Sequence, residues 1–187
     1  MTLLDFEEHV LSNEKIYDGS IISVEKQKVR LPDGEISFRE IVHHAGAIAV
    51  LALTSDKKMI LEKQWRAPVS STTIEIPAGK LDNRDSSDPD HFEHAVIREL
   101  NEEIRYKPQD VKELTSFYSS VGFCDEYMKL YLATGLKPVT EKLPRDKGEY
   151  IQILEKTLPQ AVSMIKSGEI QDAKTIMAIL FWQTMQK

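Results

Sequence analysis

The segment "VIRELNEEI", Val96 to Ile104, sets an arginine and three glutamates among aliphatic residues. On an α-helix, Glu99, Glu102 and Glu103 stand at positions i, i+3 and i+4, so their side chains converge on one face. Three carboxylates this close repel one another, and a divalent cation removes the repulsion. Oxygen-only ligands favour Mg²⁺ or Mn²⁺ over zinc. Taken alone, the segment is also compatible with an ordinary solvated acidic face.

The helix that carries this segment is indicated by its start and by its apolar stripe. Asp88 can cap it, and Pro89 suits the first helical position, where a missing N–H costs nothing. Val96, Leu100 and Ile104 then supply apolar side chains at helical spacing. A helix beginning near residue 88 is therefore predicted.

Extended segments lie on both sides of this helix. Asp33-Gly34 separates two strand-like runs and is a strong signal for a two-residue hairpin turn. The nearly continuous aliphatic run of residues 47–53 predicts a strand buried on both faces. Further strands are predicted in residues 58–66, 72–79, 113–120, 127–136 and 149–156.

Two helices are predicted near the C-terminus, from Thr157 to about Lys166 and from Asp172 to about Gln186. Strands outnumber helices, and the long helix lies between groups of strands. The predicted fold class is therefore mixed α/β (α+β), a β-sheet sandwich flanked by helices with an N-terminal antiparallel hairpin.

Composition limits the classes of function. With 187 residues, 41% hydrophobic and 29% charged, the chain is long enough for one domain with a core. A net charge of -6 argues against a nucleic-acid partner. The single cysteine, Cys124, excludes an internal disulfide and fits a reducing compartment. No secretory signal and no apolar run of the roughly 20 residues needed for a membrane span are visible. A cytoplasmic protein without membrane partners is expected.

The stretch from "IPAGK" to "VIRELNEEI" resembles the Nudix box, whose pattern is Gly, five residues, Glu, seven residues, then Arg-Glu-(aliphatic)-x-Glu-Glu-x-Gly-(aliphatic). Gly79 matches the opening glycine. The core of the pattern is matched by Arg98, Glu99, Leu100, Glu102 and Glu103. The resemblance implies a strand–loop–helix in which the glutamates hold Mg²⁺ against a pyrophosphate and the arginine orients one of them. It also implies a metal contact for the carbonyl of Ala78.

The chain departs from the box at three places. Ten residues rather than five separate Gly79 from Asp90, which indicates a loop insertion of five residues. Asp90 itself replaces a glutamate that usually pairs with the arginine, and Glu93 could substitute for it. Arg105 stands where the box has glycine. It would lose roughly 1 kcal/mol in the left-handed conformation expected there, unless the helix runs on toward Pro108.

Segments on both sides of the box resemble ADP-ribose pyrophosphatases within the Nudix family. They are "LEKQWRAPVSSTTIEIPAGKLD", "SSVGFCDEYMKLYLATGL" and "SGEIQDAKTIMAILFW". The family's N-terminal strands commonly exchange across a homodimer. The resemblance therefore implies a dimerisation arm in residues 1–45 and a Nudix catalytic domain in residues 46–187.

The same resemblance assigns residues to the substrate. Arg66 matches an arginine that contacts the phosphates, which suits a bidentate guanidinium, although a surface salt bridge is the alternative. Glu75 alternates with Ile74 and Ile76 and could reach the site or form a cross-strand ion pair. Arg39 and Glu40 are assigned to the nucleoside end. Glu126 is a candidate polar contact, with a capping or turn role as its alternative.

Hydrolysis also needs a group that positions and deprotonates a water. In the subfamily this glutamate lies on a loop before a late strand, which here matches "LPRDKGEYIQI". Glu149 is the first candidate and Asp146 the second.

The resemblance thus implies Mg²⁺-dependent hydrolysis of ADP-ribose, with Mn²⁺ as a substitute, to AMP and ribose 5-phosphate. Two alternatives stay open. One is the same fold acting on a nucleotide sugar or a dinucleoside polyphosphate. The other is a nucleotide-sensing Nudix module without catalysis, which would not need all three glutamates.

Overall fold

A computed structural model describes residues 6–81, 91–145 and 147–186. The chain divides into two compact units: one combines the residues up to Gly46 with Phe117–Tyr127, and the other combines Ala47–Ser116 with the residues from Met128 onward. The predicted start of the first helix, Asp90 of the box and Asp146 all lie outside the described residues. In the described part of the chain, no helix is both long enough and apolar enough to cross a membrane.

The first unit contains an antiparallel sheet of three strands, β1 (His9–Asp18), β2 (Ile22–Arg30) and β3 (Ile36–His44), in that order. The predicted hairpin between β2 and β3 is confirmed, but its predicted two-residue turn is wrong. Leu31 N–H bonds to the carbonyl of Glu35, so the loop has three residues, 32–34, and Gly34 lies in it at φ 92°. Strand β1 was not predicted. All ten of its residues are exposed, so the strand has no buried apolar face to produce an alternating pattern.

The second unit contains most of the strands and all the helices among the described residues. Its elements are β4 (Ala47–Ala52), β5 (Lys58–Arg66), β6 (Ser71–Glu75), β7 (Ala78–Lys80), α1 (His91–Glu99), β8 (Tyr106–Lys107), β9 (Asp110–Tyr118), β10 (Tyr127–Thr134), β11 (Lys137–Pro138), β12 (Gln152–Thr157), α2 (Leu158–Ser167) and α3 (Ala173–Thr184). The last residues of β9 and the first of β10 reach into the first unit. One sheet has the order β7-β4-β10-β9, another β12-β5-β6, and β11 pairs with β8. Since β4 and β10 are parallel while the other pairs for which a register is given are antiparallel, the predicted mixed sheet is confirmed.

The core of the second unit lies between α1 and the sheet that contains β4. Every residue of β4 is buried, as its aliphatic run predicted. Ile48 and Val50 of β4 pack with Val96 of α1 and with Leu100 just beyond it, which are the predicted apolar stripe. This packing fixes the end of α1 beside β7, the edge strand that follows "IEIP".

The helix does not end as a regular α-helix. Residues Leu100–Ile104 form a π-helical turn, and Arg105 ends it in the left-handed conformation at φ 67°. Arg105 therefore adopts the left-handed backbone conformation expected of the glycine in the box. The alternative prediction, that the helix continues toward Pro108, is wrong. Arg105 also donates from Nη1 to the carbonyls of Asn101, at 3.1 Å, and of Leu143. These two bonds offset the backbone cost.

Substitutions at Arg105 test whether its side-chain hydrogen bonds offset the cost of the left-handed backbone. Arg105→Ala loses both side-chain hydrogen bonds and keeps the left-handed backbone, whereas Arg105→Gly loses the bonds but relieves the backbone. We expect the alanine variant to be less stable than the glycine variant by about 1 kcal/mol, measured by urea unfolding. An alanine variant at least as stable as the glycine variant would show that the left-handed conformation is not strained.

Candidate active site

The three glutamates of the box lie where α1 ends and the π-helical turn begins. Glu99 is the last residue of α1, and Glu102 and Glu103 belong to the turn. They are only 9%, 4% and 3% exposed. The acidic face is therefore buried rather than solvated. The prediction of a regular α-helix is wrong in this last turn, where a π turn replaces it, as it often does at functional sites.

Arg98 neutralises part of this buried charge. Its Nη1 lies 2.7 Å from Glu99 Oε1 and 3.0 Å from Glu102 Oε2. One guanidinium thus holds two of the carboxylates, in line with the orienting role that the box implies. The expected pairing of Arg98 with Asp90 lies outside the described residues.

The edge strand β7 approaches the cluster closely. A Cβ at Gly79 would lie 1.9 Å from Glu99 Oε1, so a side chain at this position would displace the buried carboxylate. The N–H of Ala78 donates to Glu103 Oε2 at 3.2 Å. Val50 N–H bonds to the carbonyl of Pro77, so the next pair in the antiparallel ladder, Ala49 and Ala78, is of the non-hydrogen-bonded type. The carbonyl of Ala78 therefore points away from β4, on the same side as its N–H.

A fourth buried carboxylate, which was not predicted, belongs to this cluster. Glu62 of β5 is 0% exposed, and neither of its carboxylate oxygens accepts a hydrogen bond from a donor in the described residues. The carboxyl of Glu103 lies beside it. The available sequence signal was the run "MILE", in which a glutamate extends three buried apolar residues.

Burial and mutual repulsion raise the pKa values of these carboxyls. Burial, opposed by the charge of Arg98, raises the pKa of Glu99 to about 7. Burial raises the pKa of Glu62 to about 8, with Glu149 and Glu75 adding repulsion. Burial and the neighbouring Glu62 and Glu99 raise the pKa of Glu103 well above its ordinary value. The cluster therefore contains more carboxyl groups than Arg98 can keep ionised together, and part of it retains protons near neutral pH when no cation is bound.

Arg66 and Glu75 form a bidentate ion pair at the ends of β5 and β6. Arg66 Nε and Nη2 donate to the two oxygens of Glu75 at 2.7 and 2.8 Å, and Lys174 of α3 contacts the same carboxylate. Burial alone would raise the pKa of Glu75. The hydrogen bonds from Arg66, Lys174 and Thr73 outweigh it and lower the pKa to about 2. Lys174 was not predicted, because it is distant in sequence from both partners.

The loop that contains the candidate base reaches the same cluster. Arg145 donates to the backbone carbonyls of Glu102, at 3.2 Å, and Glu103, at 2.7 Å. Glu149 lies near enough to raise the pKa values of Glu62, Glu99 and Glu103.

An open cavity of about 480 Å³ lies beside this loop. Its lining includes Lys63, Trp65, Arg145, Glu149 and Tyr150. Another cavity of about 420 Å³ touches Asn101 of the π turn but none of the carboxylates of the cluster.

Three predicted substrate residues belong to the first unit. Arg39 of β3 pairs with Glu8 through Nε, at 2.9 Å, and Nη2. Glu40, the next residue of β3, contributes to a cavity within this unit. Glu126 pairs with His44 at 3.3 Å. Their assignment to the substrate stays a prediction.

The donor set fits a hard divalent cation, because all the candidate side-chain ligands are carboxyl oxygens and they are buried close together. The three glutamates are not, however, arranged as a complete metal-binding site. In the part of the chain that the structure describes, no three His, Cys, Asp or Glu side chains converge as a metal site. Two of the box carboxylates face Arg98, and the third faces the N–H of Ala78.

A mixed sheet with a strand–loop–helix that buries a carboxylate cluster defines an α/β protein suited to binding a divalent metal. The chain belongs to the NUDIX domain family, whose sequence profile matches residues 42–178. Members of this family generally depend on divalent metals.

Three comparisons illustrate the relationship. The chain is 41% identical to an ADP-ribose pyrophosphatase of Bacillus subtilis, over 95% of this chain and 93% of the relative. It is 38% identical to a methanol dehydrogenase activator of Bacillus methanolicus, over 97% and 95%. In fold it is similar to the crystal structure of an ADP compounds hydrolase, with a TM-score of 0.82 and 18% identity over 96% and 94% of the chains.

The ion pair of Glu75 makes stability depend on pH. Because the folded pKa, about 2, lies below the ordinary value of 4.5, the pair stabilises the fold above pH 4.5 and its contribution is lost between pH 4.5 and 2. We expect Glu75→Gln to lower the free energy of unfolding by about 2 to 3 kcal/mol at pH 7, allowing for the partly exposed Arg66. The difference from wild type should shrink as the pH falls.

Denaturant unfolding at several pH values measures this difference. Glu113→Gln, which breaks an exposed pair with Lys129, is the matched control and should change stability little. A Glu75→Gln penalty that stays constant down to pH 2 would contradict the assignment.

Proposed function

We propose that this protein hydrolyses the diphosphate bond of ADP-ribose to AMP and ribose 5-phosphate, using Mg²⁺ or Mn²⁺. The observation that carries the proposal is the buried carboxylate cluster at the end of α1, flanked by the Arg66–Glu75 pair. The B. subtilis relative named ADP-ribose pyrophosphatase supports the choice of substrate.

Glu99, Glu102 and Glu103, with the carbonyl of Ala78, are the proposed metal ligands. A cation held there would neutralise charge on the diphosphate and make a bound water more acidic. Arg98 orients Glu99 and Glu102 through its two short contacts. Clustered carboxyls that release their protons to bind a cation would explain how an acidic protein can recruit an anionic substrate, since the cation supplies local positive charge.

Two further groups act on the substrate and the water. The guanidinium of Arg66 is 42% exposed and rigidly held by Glu75, so it presents a fixed positive charge to a phosphate. Glu149 is the proposed base, which takes a proton from the attacking water as its oxygen bonds to one phosphorus and the P–O bond to the leaving phosphate breaks. Its proximity to the cluster supports this role.

The cavity beside Glu149 suits an anionic nucleotide. Lys63 and Arg145 supply positive charge, and the rings of Trp65 and Tyr150 are 62% and 86% exposed. Exposed aromatic rings next to cationic side chains can stack on a base while the cations meet its phosphates.

The activity is tested by incubating the protein with ADP-ribose and Mg²⁺ or Mn²⁺, and then with alkaline phosphatase. ADP-ribose has no terminal phosphate, so phosphate release reports its cleavage to monophosphates. Glu103→Gln should lower kcat more than about tenfold, because it loses at least about 1.4 kcal/mol of transition-state stabilisation. Glu113→Gln should keep the wild-type rate.

The same assay separates the alternatives. ADP-glucose, NADH and diadenosine polyphosphates test the other nucleoside diphosphate derivatives, and a higher kcat/KM for one of them would replace ADP-ribose as the substrate. Failure to hydrolyse any of them with either ion would contradict an enzyme. It would favour a nucleotide-sensing or activator role, for which the 38% identical methanol dehydrogenase activator is the specific support.

We also propose that the protein is a homodimer formed through residues 1–45. The sheet β1–β2–β3 leaves several apolar side chains exposed. They include Val10, Leu11, Ile16, Tyr17, Ile36 and Phe38. Such a surface is typical of an interface, and two-fold symmetry is the commonest arrangement. The single cysteine supports a reducing compartment such as the cytoplasm.

Light scattering after gel filtration should give about twice the chain mass of 21.4 kDa. Phe38→Asp places a charge on the apolar surface and should lower the mass toward that of one chain. A wild-type protein that elutes as a single chain at micromolar concentration would rule out the dimer.

A further inference from the structure

Glu62 differs from the other carboxylates of the cluster because no donor in the part of the chain that the structure describes hydrogen-bonds to it. Glu99 and Glu102 face Arg98, Glu75 faces Arg66, and Glu103 accepts from the N–H of Ala78. Both oxygens of Glu62 are buried and accept no hydrogen bond from the described residues. A buried carboxylate without a donor is strongly destabilising, since nothing replaces its lost hydration.

The position of Glu62 is fixed by the fold. Its strand, β5, is the central strand of the sheet β12-β5-β6, where Glu62 stands opposite Glu75 on one side and Ile153 on the other. The preceding residues of β5, Met59 to Leu61, are fully buried. The side chain therefore cannot turn to solvent, and it meets the carboxyl of Glu103.

Two buried carboxyls in contact need either a shared proton or a cation between them. We propose that Glu62 is a further carboxylate of the divalent-metal site, binding the cation together with Glu103. This inference rests on the proposed metal-dependent function. It adds a ligand from β5, outside the segment that resembles the Nudix box. The cation would then be bound in part by a side chain of a central strand. A carboxylate on such a strand positions the cation more firmly than one on a helix end alone.

Direct titration of the protein with Mn²⁺, without substrate, tests this role. Free Mn²⁺ is followed by electron paramagnetic resonance, and Tm is recorded with and without the ion. Glu62→Gln keeps the shape of the side chain and removes its charge. The dissociation constant of Mn²⁺ should rise about tenfold or more, and the increase in Tm on adding Mn²⁺ should shrink. Glu155→Gln, an exposed change of the same kind on β12, should bind Mn²⁺ as wild type does.

If Glu62 and Glu103 only share a proton and Glu62 binds no metal, the Mn²⁺ titration should give a different result. The amide of Glu62→Gln could donate to Glu103, so Mn²⁺ affinity would stay within about twofold of wild type, and this would overturn the proposal. Since ligands of one ion act together, Glu62→Gln combined with Glu103→Gln should weaken binding by less than the product of the two single effects. Independent effects, or a wild-type protein that binds no Mn²⁺, would also overturn it.

The Mn²⁺ titration tests the role of Glu62 independently of the assay for ADP-ribose hydrolysis. If wild type cleaves ADP-ribose while Glu62→Gln keeps its Mn²⁺ affinity, the function stands and the role of Glu62 fails. If Glu62→Gln loses Mn²⁺ affinity while wild type cleaves none of the substrates, Glu62 belongs to a metal site of a protein with another function.

Discussion

Several carboxylates buried in one cluster impose the constraint on which the second unit of this protein depends. Glu62, Glu99, Glu102 and Glu103 come from a central strand and a helix end, and each is at most 9% exposed. Like charges in a medium of low dielectric constant repel strongly. Arg98 and the N–H of Ala78 supply part of the compensation, and the raised pKa values of Glu62, Glu99 and Glu103 mean that retained protons supply more of it.

Local backbone features at the end of α1 serve this constraint. The π-helical turn changes the direction of Glu102 and Glu103 relative to a regular helix, and Arg105 ends the turn in the left-handed conformation. Gly79 leaves the space that the carboxyl of Glu99 occupies. The strand, the turn and the helix end are thus adjusted to one another so that the carboxylates can be buried together.

Much of the architecture could be predicted from sequence because its signals are local. The aliphatic run of β4 and the stripe of α1 predicted the core, and Thr157, Gly168 and Asp172 marked the ends of the last two helices, as the structure has them. Strand β1 could not be predicted, since its exposed side chains carry no periodic signal.

For the site, sequence patterns located the residues of the box and the role of Arg98, but not the partners that come from distant parts of the chain. Lys174 reaches Glu75 across 99 positions, and Glu62 meets Glu103 across 41, the difference of the two numbers. Such contacts arise from the packing of strands and helices that are distant in the chain. From the sequence alone, Glu62 after "MIL" looks like a solvent-exposed residue near the end of a strand. Its burial becomes evident only once β12 and β6 are seen to pair with β5 on both sides.

Arg145 links the loop of the proposed base to the turn that carries the proposed metal ligands. Its guanidinium donates to the carbonyls of Glu102 and Glu103, where a helix end concentrates negative charge. Glu149 lies only four residues further along the same loop. A shift of the loop would therefore alter both the base and the turn that carries the ligands. Conversely, binding of a cation by these glutamates would steady the carbonyls that hold the loop. The position of the proposed base, Glu149, thus depends on how its loop packs against the carboxylate cluster, and an alignment of loop sequences alone cannot determine it.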